Sequence, residues 1–253
     1  MKYIKLFENF DSYDPYELMI IPPNKMAEMI IDECSGEYPN MELIETLITM
    51  GANVDWIDED GYACIHRATI FNHKEIVRML IDSGADVDIK RQGGFSPSAI
   101  HYAAIHNRDE IAHMLIGSGA DVNIQAEEGT TPLLSAIENN NPGMANILIS
   151  AGADVNIQTE YGETPLYIAA MRRHVWTIET LIEHGANINA QTNNGWTPLH
   201  ISVQYGSTKI VKLLLELGAD PTIKDNEGKT PYDYIDNNFP NAETKELEKL
   251  LKP

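Results

Sequence analysis

The chain has 253 residues, and 38 acidic against 18 basic side chains give it a formal net charge of -20 at pH 7. A surface of that sign repels nucleic-acid phosphates and anionic lipid, so we expect no nucleic acid and no membrane as partner. The chain has two cysteines, no apolar run of the roughly 20 residues that a membrane helix needs, and no secretory h-region, which favours a reducing, cytoplasmic setting.

The first segment, residues 1–22, is too apolar for a plain linker, and its apolar residues include Tyr3, Leu6 and Phe7. One hypothesis is a short element packed over the apolar end of the residues that follow. The alternative is a docking tag, because Met-Lys-Tyr-Ile-Lys-Leu-Phe-Glu is weakly similar to amino-terminal tags on internal head proteins of tailed phages. A tag would imply a structural or packaged protein sorted by this segment, carried in a virion or delivered to a host cell, with the remainder as passenger.

Three sequence anchors then recur with one period. Gly-Ala-Asp/Asn begins at Gly51, Gly84, Gly119, Gly152, Gly185 and Gly218, and the spacings are 33, 35, 33, 33 and 33. A second glycine takes the same steps at Gly61, Gly94, Gly129, Gly162, Gly195 and Gly228. The third anchor is Thr-Pro at Thr131, Thr164, Thr197 and Thr230, with Ser96-Pro97 as a variant and Ala63-Cys64 as a degraded copy. A shared register predicts tandem units of about 33 residues.

Each unit is expected to hold two helices. Thr followed by Pro is typical of an N-cap and a first helical residue, because the hydroxyl accepts a free N–H and proline has none to lose. The first helix should end at Asn72, Asn107, Asn140 or Gly206, which tolerate left-handed backbone, with Arg173 as the exception. The second helix repeats apolar residues at i, i+1, i+4 and i+5, as in Ile76, Val77, Leu80 and Ile81. One unit cannot bury this stripe alone, which predicts a solenoid.

Three stretches resemble a known repeat family. Thr192 to Ser202 resembles the Asp-x-x-Gly-x-Thr-Pro-Leu-His-x-Ala opening of ankyrin repeats, and Gly119–Asn123 and Gly152–Asn156 resemble their Gly-Ala-Asp-Val-Asn close. The resemblance implies an all-α ankyrin-repeat solenoid of helix-turn-helix units with β-hairpin or turn connections. Its repeats would be 58–90, 91–125, 126–158, 159–191 and 192–224, between an N-terminal capping repeat, 23–57, and a C-terminal capping repeat, 225–253.

Two repeats depart from the common sequence pattern, and each departure predicts a local change in structure. The second repeat has two extra residues around Pro97 to Ala99, which should widen the turn into its first helix. Ala63-Cys64 lacks both cap hydroxyl and proline, a loss of about 1 kcal/mol at an N-cap, so repeat 58–90 should fray more readily than 159–191.

We expect no catalytic, metal or cofactor site. The resemblance implies structural hydrogen bonds for His66, His101 and His200, and His73 and His174 share a turn position that we also interpret as structural. Cys34 and Cys64 should be small core residues. No Gly-Lys-Ser/Thr follows the recurring glycines, so a phosphate loop is excluded.

The resemblance places partner binding on the hairpin tips and first helices, along one groove. Large apolar residues that the framework should not require there, together with flanking carboxylates, are typical of interface anchors facing a basic partner. The candidates are Tyr62, Phe71, Phe95, Glu127, Glu128, Tyr161, Glu163, Met171, Trp196 and Tyr205. Local packing between hairpins is the alternative for the apolar residues, and solubility alone for the carboxylates.

The sequence therefore predicts a monomeric, non-enzymatic protein–protein interaction module, acting as adaptor, scaffold or inhibitor. Replacing Tyr62, Phe95 and Trp196 with Ala should abolish partner capture and leave the unfolding midpoint nearly unchanged. Trp176 occupies a second-helix position usually given to a charged residue, and it marks either a second contact or a covered gap.

Overall fold

The computed structural model of the chain describes residues 21–235 and 242–252. Residues 1–20 lie outside this part, so the packing and docking-tag hypotheses for the amino-terminal segment stay predictions. The chain divides into two compact units, residues 1–121 and 122–253, and each is described by itself.

The described residues are helical, with an isolated antiparallel bridge between Lys90 and Ser98 and no longer strand among them. The first unit contains α1 (Pro23–Cys34), α2 (Met41–Thr49), α3 (Cys64–Ile70), α4 (Lys74–Asp82), α5 (Ala99–Ile105) and α6 (Asp109–Gly117). The second contains α7 (Pro132–Glu138), α8 (Pro142–Ser150), α9 (Pro165–Arg172), α10 (Val175–Glu183), α11 (Pro198–Gln204), α12 (Thr208–Glu216) and α13 (Ala242–Leu251). Short 3-10 turns span Glu127–Gly129 and Pro231–Tyr234. These helix pairs confirm the all-α repeat fold.

Thr-Pro starts the first helices of the second unit as predicted. The hydroxyls of Thr131, Thr164 and Thr197 each accept a backbone N–H three residues on, at 3.3, 3.2 and 3.4 Å. Thr230-Pro231 begins only a 3-10 turn, where Thr230 donates its backbone N–H to the Asp233 carboxylate at 2.8 Å.

Ser96-Pro97 does not start a helix, so that part of the prediction was wrong. The N-cap position of α5 belongs to Ser98, and Ala99 is the first helical residue. The two extra residues lengthen the hairpin loop instead. The loop is closed by the Arg91 N–H on the Pro97 carbonyl, six residues apart, whereas the preceding hairpin pairs Asp58 with Tyr62, four apart. The predicted local distortion is present, and it precedes Pro97.

The second-helix stripe forms the core of each unit. Ile76, Val77 and Leu80 of α4 are fully buried, and the i+5 residue, Ile81, is only half-buried. First helices pack against first helices, and second against second, within each unit. Small buried residues such as Ala68, Ala136 and Ser202 permit that close approach, and the Ser202 hydroxyl donates to the Pro198 carbonyl at 2.7 Å.

The turn between the helices uses left-handed backbone at the predicted residues. Asn72, Asn107, Asn140 and Gly206 have positive φ, and the exception, Arg173, adopts φ 64° as well. Its guanidinium donates to the Tyr205 carbonyl at 2.6 Å, a bond between repeats that offsets part of the backbone strain.

A ladder of side-chain amides and carboxylates links neighbouring repeats beside the Gly-Ala-Asp/Asn turns. In the second unit Asn123 accepts the Asp154 N–H at 2.7 Å, Asn156 accepts the Asn187 N–H at 2.7 Å, and Asn189 accepts the Asp220 N–H at 2.9 Å. These residues follow the recurring glycines, so the sequence period also sets the spacing of the inter-repeat bonds.

Candidate binding surface on the hairpin tips

The hairpin tips are short turns held in register by backbone bonds. In the second unit the Thr159 N–H bonds the Glu163 carbonyl at 3.0 Å, and the next tip repeats this between Thr192 and Trp196 at 2.9 Å. Asn193 ties the two together, because its backbone N–H donates to the Tyr161 carbonyl at 3.0 Å and its amide donates to the Glu160 carbonyl at 2.7 Å. The tips therefore present their side chains on a fixed backbone.

The predicted apolar anchors divide into exposed and half-buried groups. Phe71, Phe95, Tyr161 and Tyr205 are exposed, with Tyr161 and Tyr205 the most exposed of them at 54% and 51%. Tyr62, Met171 and Trp196 are half-buried. Among the predicted aromatic anchors of the second unit, Tyr161 and Tyr205 thus offer the most free surface.

Tyr62 and Trp196 stabilise the repeats themselves, contrary to the expectation that the framework has no use for them. The guanidinium carbons of Arg67 and Arg91 lie 3.9 and 4.5 Å from the centroid of the Tyr62 ring. Trp196 packs on Tyr234 with ring centroids 4.7 Å apart and stacks on His200 at 6.2 Å. Substituting either residue removes these contacts, so the Tyr62/Phe95/Trp196 variant would not leave stability unchanged.

Two of the predicted carboxylates of the second unit, Glu128 and Glu163, lie near the exposed Tyr161. Glu127 and Glu128 are exposed and Glu163 is half-buried. The Tyr161 hydroxyl donates to Glu128 at 3.1 Å, which raises the pKa of Tyr161. Glu138 of α7 joins the group, although it was not among the predicted anchors.

Like-charge repulsion affects this cluster. Local desolvation, followed by the charges of Glu138 and Glu128, raises the pKa of Glu163. Desolvation also raises the pKa of Glu138, with a smaller contribution from Glu128 and partial relief from Arg172. The charges of Glu128 and Glu138 therefore both disfavour the ionised form of Glu163, which places unbalanced negative charge beside this carboxylate.

A cavity of about 300 Å³ opens between the two tips, and it is lined by Tyr161, Glu163, Tyr167, Thr192, Asn194 and Trp196. Tyr167 of α9 is nearly buried, and desolvation followed by the charge of Glu163 raises its pKa to about 12. The sequence prediction missed Tyr167 because it occupies the place of a framework histidine, and only its aromatic ring distinguishes it.

A second cavity, of about 420 Å³, shares Asn194 and Trp196 with the first. It contains Asp225, whose carboxylate accepts the backbone N–H groups of Glu227 and Lys229 at 2.9 and 3.0 Å and the hydroxyl of Tyr234. The Asp225 carboxylate is thus occupied by the protein's own donors, in contrast to Glu163.

The histidines at the Thr-Pro-Leu-His position are structural, as predicted. In the buried His66, Nδ1 accepts the Ala63 N–H at 3.0 Å and Nε2 lies 2.8 Å from the Ile89 carbonyl. His200 repeats both contacts with Thr197 and Lys229, at 3.1 and 3.3 Å. Desolvation lowers the pKa of His66 to about 4, which keeps its ring neutral. The two hydrogen bonds of the ring connect the start of the helix to the next hairpin.

Cys34 and Cys64 are buried free thiols, as expected for small core residues. Burial raises the pKa of Cys64 to about 12, so its thiol stays protonated at neutral pH. Within residues 21–235 and 242–252, no group of histidine, cysteine, aspartate and glutamate side chains has a metal-binding arrangement. No helix in the same ranges combines the length and apolar character needed to cross a bilayer.

The family model for ankyrin repeats, described as three copies, matches residues 33–91, 90–159 and 133–225. Protein phosphatase 1 regulatory subunit 27 of Homo sapiens is 34% identical over 81 residues, which is 32% of this chain and 51% of that protein. An ankyrin repeat protein of Monkeypox virus is 33% identical over 64 residues, 25% of this chain and 11% of the viral protein. A putative ankyrin repeat protein of Acanthamoeba polyphaga mimivirus is 33% identical over 73 residues, 27% of this chain and 44% of its own length.

The chain thus spans about half or less of the length of these relatives. The family model, by contrast, covers well over half of the chain itself, from residue 33 to residue 225. Repeats of this kind are generally protein–protein interaction modules. The chain belongs to the ankyrin repeat family.

Proposed function

We propose that the chain is a non-enzymatic binding module that takes a basic protein partner on the hairpin-tip and first-helix face of its second unit. The observation that carries the proposal is the exposed ring of Tyr161 beside the carboxylates of Glu128 and Glu163 on a fixed backbone, with Tyr205 as a second exposed ring on the first-helix side. Tyrosine is a favoured interface anchor, and the surrounding charge would steer a cationic partner.

The comparisons support a non-catalytic role for the repeats. One relative is named a regulatory subunit of a phosphatase, and that name is consistent with a protein that acts by binding. In this chain the buried histidine and cysteine side chains serve the framework, as His66 and Cys64 illustrate. Adaptor, scaffold and inhibitor all fit the proposal.

The test is affinity capture from the source organism's lysate with three forms of the protein. The double variant Tyr161→Ala/Tyr205→Ala removes exposed rings and should lose a specific partner at least tenfold. The control Trp176→Ala removes a 44% exposed ring from α10, on the second-helix side, and should keep that partner. Binding should also weaken as salt rises from 50 to 500 mM, because steering between opposite charges is screened.

Capture that is equal in the wild type and the double variant would overturn the proposal for this face. Loss caused by Trp176→Ala alone would move the binding surface to the second helices. Unfolding midpoints of all three forms should agree, since each replaced ring is about half or more exposed to solvent.

A further inference from the structure

We infer that the cavity between the tips at Tyr161 and Trp196 is an arginine pocket: it receives one guanidinium of the partner between aromatic rings, with Glu163 as counter-charge. The inference rests on the proposed function and narrows it, because it names the side chain by which a basic partner would be anchored.

The walls of the cavity suit a flat cation. Tyr161, Tyr167 and Trp196 supply three rings from two adjacent repeats, and Thr192 and Asn194 add polar edges. Guanidinium groups are planar and weakly hydrated, so they stack on aromatic faces at small desolvation cost. At about 300 Å³ the cavity is at the lower limit for small-ligand sites, which fits a single side chain.

The charge in the cavity is not neutralised by the protein. In the described part of the chain the Glu163 carboxylate has no hydrogen-bond or ion-pair partner, and Glu128 and Glu138 add further negative charge beside it. Arg172 acts on Glu138 rather than on Glu163. A cation that enters relieves this repulsion and gains a carboxylate that is already partly desolvated.

One tip of the first unit shows a similar arrangement in filled form. Tyr62 follows the recurring hairpin glycine there, as Trp196 does in the second unit, and it has the guanidinium groups of Arg67 and Arg91 near its ring. Arg67 also pairs with Asp58 and Asp60 at 3.6 and 3.1 Å. The protein therefore fills one aromatic and acidic tip with its own arginines. Around Glu163 the rings and the acid are present without an intramolecular guanidinium in the described residues.

Lysine fits this pocket less well. Its ammonium is a compact and strongly hydrated charge, so it loses more hydration on entering an aromatic cavity. Replacing that hydration would take several acceptors, and the Thr192 hydroxyl already accepts the backbone N–H of Trp196 at 3.1 Å. A guanidinium needs fewer hydrogen-bond acceptors, because its faces contact the rings and its edge can donate two parallel hydrogen bonds to one carboxylate.

The experiment is an NMR titration that follows the Trp196 indole resonance, assigned with Trp196→Phe. The probes are N-acetyl-arginine amide, N-acetyl-citrulline amide, which has the same shape without the charge, and N-acetyl-lysine amide, all at matched ionic strength. We expect saturable shifts with the arginine probe, no saturation with citrulline, and at least fivefold weaker binding with lysine.

Two variants test the counter-charge. Glu163→Gln should weaken binding of the arginine probe at least fivefold, whereas Glu183→Gln removes one exposed charge at the end of α10 and should not change it. Equal weakening in both variants, binding of citrulline as tight as arginine, or no saturable shift up to 50 mM would each overturn the pocket.

The two proposals fail in different ways. If the arginine probe binds as expected and Tyr161→Ala/Tyr205→Ala captures partner like the wild type, the pocket stands and the proposed function falls. If the double variant loses capture while the arginine probe does not bind Trp196, the function stands and the arginine pocket is overturned.

Discussion

The recurring glycine at the hairpin tip allows a test of how neighbouring repeats are joined. Gly162 has φ 77°, and a Cβ added to it would lie 2.6 Å from both the backbone N and the side-chain Oδ1 of Asn193. Gly185 has φ 86°, with no atom within 4 Å of such a Cβ. Alanine is strained by the left-handed backbone at both sites, but it collides with the next repeat only at Gly162.

The expected losses of stability follow from the backbone strain and from the collision with Asn193. Left-handed backbone costs a non-glycine residue about 1–2 kcal/mol, so Gly185→Ala should lower the free energy of unfolding by that amount. Gly162→Ala adds a backbone collision, which costs about 1–3 kcal/mol more. It should also weaken the bond from the Asn193 N–H to the Tyr161 carbonyl, worth about 1 kcal/mol.

Urea unfolding followed by far-ultraviolet circular dichroism measures both variants against the wild type. Gly162→Ala should be less stable than Gly185→Ala by at least about 1 kcal/mol, from the collision alone. Amide exchange should locate the extra loss at the tip around Asn193. Equal losses in the two variants would refute the reasoning, because they would show that the tips do not depend on close approach.

Three further predictions concern protonation and caps. The pKa of His66 is about 4 in the fold against 6.5 in the unfolded chain, so stability is full above pH 6.5, declines as pH falls from 6.5 to 4 because the unfolded chain binds the proton first, and levels off below 4. The free energy of unfolding should fall by about 2–3 kcal/mol by pH 4.5. Unfolding of His66→Gln should depend less on pH than unfolding of the wild type, and equal pH dependence of the two would contradict this role of the ring. Glu163→Gln should raise stability at pH 7 by less than about 1 kcal/mol, since the raised pKa of Glu163 marks a destabilising charge, and the gain should vanish below pH 4. Amides of α3 should exchange faster than those of α9, because Ala63 offers no cap to its helix; equal protection would contradict this.

Most of the fold was predictable because short sequence signals mark where each helix of the repeat begins and ends. Thr-Pro, the left-handed turn residue and the Gly-Ala-Asp/Asn triplet are local signals, and each depends on backbone geometry that only a few residue types satisfy. The fully buried positions of α4 followed from helical periodicity alone. Where the local signal was altered, as at Ser96-Pro97, the prediction of the helix start failed by two residues.

The site was less predictable, because it depends on which side chains the tips bring together. Trp196 and Tyr161 occupy adjacent hairpin tips, yet Trp196 packs on Tyr234 while Tyr161 remains exposed. Sequence period places residues on a face without indicating which neighbour fills the space beside them. Tyr167 became recognisable as a site residue only from the cavity that it lines beside Glu163.

The contrast between framework and tips is the strongest physical argument for binding. In the framework His66 has both ring nitrogens bonded, and leaving such a buried group unpaired would cost about 1–3 kcal/mol. At the tips, by contrast, Glu163 lies half-buried beside other carboxylates without a partner in the described chain. The inter-repeat bonds at Asn193 hold the tip in place despite that repulsion. A partner's cation would meet a carboxylate that is partly desolvated and already positioned, so binding would recover stability that folding alone gives up.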